Sequence, residues 1–91
     1  MHKRLEFPKR PRPHKSEGTP FIIRLYESKC GAYLVRHSKH DTGLLPDMFY
    51  AMKKDHFDRW AIVSRHRTLA AAVKALNRFD AETLSTPRGK A

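Results

Sequence analysis

The sequence predicts an α+β fold: a small antiparallel sheet of three to four strands with one C-terminal amphipathic helix packed on one face. Three stretches carry that prediction. Phe21–Tyr26 and Ala32–His37 are β-branched and aromatic runs separated by a turn containing Gly31, the pattern of an antiparallel hairpin. Trp60-Ala61-Ile62-Val63 is a third such run, bounded by Asp58 before and Arg65-His66-Arg67 after. From Leu69 onward the apolar residues fall at Leu69, Ala72, Val73, Leu76 and Phe79, the i, i+3, i+4, i+7 spacing that places them on one side of a helix.

Taken in order, residues 1–19 are basic and contain Pro8, Pro11 and Pro13 with almost no apolar pattern, so they are expected to form a disordered tail outside the core. The compact domain is expected over residues 20–82. Its first strand, about 21–26, alternates Phe21, Ile23 and Leu25 against Ile22, Arg24 and Tyr26; the second covers about 32–37, and Ser38–Gly43 reads as a polar loop. Residues 46–54 admit two readings. Leu45, Met48, Phe49 and Met52 have helical spacing behind Pro46 and Asp47, whereas Met48, Tyr50 and Met52 alternate like a strand. A strand over about 48–52, turning back at Lys53–Asp58 onto a last strand at 59–65, agrees better with the aromatics. The helix then spans 68–80, with Thr68 as its N-cap and three consecutive alanines adding propensity. Residues 83–91 read as a second basic, disordered tail.

Length and composition narrow the function classes. A chain of 91 residues supports one small core, and its single cysteine, Cys30, excludes an internal disulfide framework. No run approaches the roughly 18 apolar residues of a membrane span, and the basic start lacks the apolar region of a secretory signal, so an intracellular location, cytoplasm or nucleoid, is expected. The formal net charge is +10, spread as +4 over residues 1–19, +4 over 20–82 and +2 over 83–91. Charge of that sign along the whole chain attracts polyanions, nucleic acid first among them and acidic protein surfaces second.

The strand-to-helix junction is the sharpest local signal. Arg65, His66 and Arg67 precede Thr68, although the helix dipole makes that end unfavourable for cations. An anion would reverse the sign: free first-turn amides, the Thr68 hydroxyl and two guanidinium groups together suit a phosphate. Bulk suggests that Trp60 and Ile62, with Phe21, Ile23 and Leu25, lie beneath the helix, leaving an open sheet face that presents Arg24, Tyr26, Arg65 and Arg67, joined by Arg36 if the second strand turns that side outward. Such a mixture of cations and aromatics contacts phosphates and bases.

Two resemblances point the same way. Pro8-Lys9-Arg10-Pro11-Arg12-Pro13 resembles an AT-hook, the minor-groove motif centred on Arg-Gly-Arg-Pro, with Pro11 standing where that motif has glycine; Pro87-Arg88-Gly89-Lys90 keeps the glycine but has one arginine. The inferred order of elements over residues 20–80 is similar to the arm-binding domains of phage-type integrases and to plant AP2-like domains, whose three-stranded sheets enter the major groove. That likeness implies duplex DNA as the partner, with Lys9, Arg10 and Arg12 extending the grip.

Other chemistries find less support. Cys30, His37, His40 and His56 are metal-ligand types, but their spacing matches no zinc motif, and no metal or other cofactor is expected. Arg36-His37-Ser38-Lys39-His40 offers acid–base groups without a nucleophile elbow, phosphate loop or paired carboxylates, so no enzyme is expected. The alternative function is a protein-interaction module or inhibitor, such as a phage- or plasmid-type accessory factor, docking on an acidic protein or nucleoprotein complex. Met48, Phe49, Tyr50, Met52 and Phe57 would then be its anchor.

Overall fold

Every strand of this chain pairs with the one that follows it. The computed structural model describes residues 4–14 and 20–85, the last two by their backbone alone. It contains β1 (Arg12–His14), β2 (Phe21–Glu27), β3 (Tyr33–His40), β4 (Met48–Lys54), β5 (Trp60–His66) and α1 (Leu69–Ser85). The five strands form one antiparallel sheet in the order β1-β2-β3-β4-β5.

The α+β class, the hairpin and the terminal helix agree with the sequence reading, while the strand count is corrected from three or four to five. Residues 48–54 are a strand, not a helix. Strand β3 also runs through the expected loop to His40, because Ser38, Lys39 and His40 find partners in Ile23, Ile22 and Phe21.

Short turns set the hairpins. Between β2 and β3, Ser28 N donates to Tyr33 O at 2.9 Å and Tyr33 N donates to Ser28 Oγ at 3.2 Å, with Gly31 at φ 78° where a side chain would be strained. Between β4 and β5, Asp55 Oδ1 accepts from Phe57 N at 2.8 Å and from Arg59 N at 2.9 Å. Those bonds, led by the one from Arg59, hold the Asp55 carboxyl below its usual range. Asp58 takes φ 64°, a conformation that aspartate tolerates better than most residues.

Thr68 caps α1 as its position predicts: Ala71 N donates to Thr68 Oγ1 at 3.1 Å, and Ala72 N donates to Thr68 O at 3.2 Å. The helix then runs to Ser85, five residues beyond the expected end. Its buried side presents Ala72 and Leu76 to Tyr33, Val35 and Ala51, forming the core with Leu69, Val73, Val63 and Phe79 packed around it. Tyr33 Oη donates to Asp80 Oδ1 at 2.8 Å, tying sheet to helix; burial first, and the nearby carboxylate second, push the phenol well above its ordinary pKa.

Residues 4–14 do not behave as the expected tail. Leu5 and Phe7 pack against the same core, Leu5 N donates to Asn77 Oδ1 at 2.6 Å, and Lys29 N donates to Glu6 O at 2.9 Å. The chain then turns into β1, which pairs with Ile23–Leu25. The remaining tail residues, 1–3, 15–19 and 86–91, lie outside the described residues.

Alternation along each strand sorts side chains to two sides. The side beneath α1 carries Tyr26, Val35, Ala51 and Ser64 in one cross-strand row, and Tyr33, Lys53 and Ala61 in another. Lys53 Nζ, 5.3 Å from the Phe79 ring centre, marks the helix side. The opposite side carries Phe21, Ile23 and Leu25; Leu34, Arg36 and Ser38; Met48, Tyr50 and Met52; and Trp60, Ile62 and Arg65.

This reverses the expected assignment of faces. Phe21, Ile23, Leu25, Trp60 and Ile62 lie away from the helix, because α1 approaches where Ala51 and Ala72, both fully buried, permit close contact. Size alone was the wrong guide.

Candidate functional site

The side of the sheet that α1 leaves uncovered has an ordered chemistry. Register places Arg12 beside Leu25, Leu25 beside Arg36, Arg36 beside Tyr50 and Tyr50 beside Arg65, so a single row crosses all five strands. Four steps of ~4.8 Å put its end residues roughly 19 Å apart. Three guanidinium groups thus stand in line with one aliphatic and one aromatic side chain between them.

Rows that mix apolar and polar side chains flank this line. On one side run His14, Ile23, Ser38 and Met48, followed by Phe21 and His40, whose rings meet edge to face at 5.3 Å. On the other run Glu27, Leu34, Met52 and Ile62, followed by Lys54 and Trp60. Two cation–aromatic stacks punctuate the surface: Arg36 Cζ lies 4.8 Å from the Tyr50 ring centre, and Lys54 Nζ lies 5.0 Å from that of Trp60. Glu27 is the sole acidic side chain among the strand residues of this side, and its carboxylate sits 3.3 Å from Arg12.

A bulge makes this arrangement possible. Ala51 pairs with Ser64 and Met52 with Ile62, leaving Val63 as the extra residue of β5. Simple alternation would set Arg65 opposite Trp60 and Ile62. With Val63 inserted, all three share one side, while Val63 turns to the core.

The expected site residues distribute unevenly. Arg36, Arg65 and Arg12 come together in the row. Arg67 and Thr68 are exposed just beyond β5, next to Arg65, and α1 has no acidic residue in its first turn. Thr68 Oγ1 is engaged as the cap acceptor but retains its proton to donate. His66 belongs to the helix side, where its Nε2 is 2.7 Å from Ser64 Oγ. Arg24 and Tyr26 are on that side too: Arg24 is exposed beyond the reach of the helix, and Tyr26 packs on the core. Lys9 and Arg10 are exposed in the bend that leads into β1.

No family model, curated protein or solved structure matches this chain.

Sequence reasoning missed Phe21, Trp60 and Lys54 as surface groups of this site, and named Tyr50 only as an anchor for a protein partner. A signal for them did exist: β2 and β4 carry apolar side chains on both faces, which a single helix on one side cannot bury. Of the proposed metal-ligand types, His37 instead bonds Asp47 at 2.9 Å and stacks on Phe49 at 4.2 Å; among the described residues no group of three or more His, Cys, Asp or Glu gathers to hold an ion. No described helix is long and apolar enough to cross a membrane.

Proposed function

We infer that this chain binds nucleic acid across the uncovered side of its sheet. The observation that carries the reading is the Arg12–Leu25–Arg36–Tyr50–Arg65 row. Arginine presents a planar fork of donors suited to phosphate oxygens, and three in line match a polymer of regularly spaced charges better than one isolated anion. The exposed Arg12–Glu27 pair is weak enough to exchange its carboxylate for a phosphate, since such pairs contribute about 0–1 kcal/mol. Arg67 and the capped start of α1 add cationic and donor groups at the end of β5, and Lys9 and Arg10 add charge in the bend before β1.

The charge layout and the likeness in element order favour DNA, with duplex as the form read from them. Phosphate contact makes the affinity fall with salt. Titrating labelled DNA with the full chain over a range of salt should therefore give a linear log–log dependence. Substituting Arg36→Ala together with Arg65→Ala should weaken binding and reduce the slope by about two. An unchanged slope in the double variant would remove the row from the site.

The protein-interaction reading has its own supporting observation. Leu44, Leu45 and Phe57 are 80%, 51% and 63% exposed, and Ile62 is 47% exposed. Of the suggested anchors, Met48, Tyr50 and Met52 face the uncovered side, whereas Phe49 packs on the core beneath α1. An acidic protein partner would be recovered in stoichiometric amount after nuclease treatment, and the double arginine variant would then matter less than Phe57→Ala.

A further inference from the structure

We propose that the form of nucleic acid taken by this face is single-stranded, with an unpaired base entering the cleft beside Arg36 and a second base stacking at Trp60. The proposal rests on the nucleic-acid reading and replaces duplex with single strand as the form bound. The cleft, of about 530 Å³, is walled by Phe21, Ile23, Leu45, Pro46 and Tyr50, with Arg36 among its lining groups. That volume falls within the roughly 300–1,000 Å³ of small-ligand sites, ample for one nucleotide.

Arg36 is the central group. It is half-buried on the middle strand, its Nε is shielded from solvent without a hydrogen-bond partner, and among the described residues it forms no ion pair. A cation placed there to stabilise the fold would be expected beside a carboxylate. Arg36 has instead the Tyr50 ring, which supports the guanidinium plane as a platform. Guanidinium planes and aromatic rings are the two surfaces on which splayed bases stack.

What surrounds the cations decides between single strand and duplex. A duplex offers this face phosphates and groove edges, and the Phe21, Ile23, Met48 and Ile62 side chains in the rows beside the arginines would gain little from either. An unpaired strand offers flat, apolar base faces together with phosphates. The cleft also requires a base free of its partner, since a paired base cannot enter it without being flipped out of the stack. Leu45 and Pro46 rise at the rim next to Leu44, where they would close over an inserted ring. At the far end of the face the Lys54–Trp60 stack repeats the combination of cation and aromatic, giving the strand a second foothold.

The test uses the full chain and three labelled probes of equal length: a pyrimidine single-stranded DNA, its RNA counterpart and the corresponding duplex, each titrated near 150 mM salt. Trp60 is the chain's sole tryptophan, so its fluorescence reports stacking directly. The expected result is at least about tenfold tighter binding of a single strand than of the duplex, with Trp60 emission quenched by the single strand. Tyr50→Leu should lower single-strand affinity about tenfold and duplex affinity much less, and Tyr50→Phe, which keeps the ring, should restore it. Equal or tighter duplex binding, unquenched Trp60, or equal loss in both forms with Tyr50→Leu would overturn the proposal while leaving the nucleic-acid reading in place. Absence of binding to all three probes would overturn both.

Discussion

At Tyr33 one hydroxyl joins sheet and helix, and its protonation has a direction that can be followed. The folded chain holds the phenol's proton above the ordinary value near 10, so the contribution is fully present below that pH and is lost as pH rises through the higher folded value. Replacing Tyr33 with Phe should cost about 1–2 kcal/mol in denaturant unfolding at neutral pH. It should also remove this residue's share of the alkaline decline in stability. Asp55 works in the opposite sense. Its carboxyl is held low by the Arg59 amide, so the β4–β5 turn keeps that support above the ordinary carboxylate range and loses it as pH falls through the depressed folded value. Asp55→Ala should speed hydrogen exchange at the Phe57 and Arg59 amides, and it should remove the added loss of protection there on acidification.

Among the elements, α1 and β5 show how far local patterns reach. The apolar spacing from Leu69 to Phe79 and the cap at Thr68 were legible, because helix periodicity and capping depend on neighbours in sequence. Leu76 is fully buried, and Leu76→Ala should cost about 2–5 kcal/mol. In β5 the same kind of reasoning failed at one residue. The bulge at Val63 depends on pairing with β4, and one inserted residue reverses the side on which every later side chain lies. Arg65 was therefore identified as a site residue while its companions Trp60 and Ile62 were placed in the core. The N-terminal segment was opaque for a related reason: two apolar residues, Leu5 and Phe7, form no period by themselves and join the core only against α1, β3 and β4. Phe7→Ala should lower stability by about 1–2 kcal/mol, part of the value of a fully buried side chain; a free tail would give no change.

On the scale of the whole molecule, one helix serves a sheet with two partly apolar sides. The side toward α1 supplies the core, with Val35, Ala51, Ala72 and Leu76 fully buried. On the other, Leu34 and Met52 are only 4% and 8% exposed although no helix covers them, so that row is shielded by its neighbours, while Ile62 remains open. A net charge of +10 opposes self-association of such a surface and, on the proposed function, attracts a polyanion to it. Ligand binding should accordingly stabilise the fold: a strand held at 100 times its Kd should raise unfolding stability by about 2.7 kcal/mol. The gain should disappear in the Arg36→Ala, Arg65→Ala variant.

The bond between Leu5 and Asn77 spans 72 residues, whereas each hairpin from β2 to β5 closes through a short turn. Hairpins of this kind form early, since little chain entropy is lost in closing them. Leu5 is bonded to Asn77 of α1, so its packing should be completed only once α1 lies on the sheet. β1 follows directly from that segment, so a change that releases Leu5 or Phe7 from the core would leave the Arg12 end of the row less firmly held on β2.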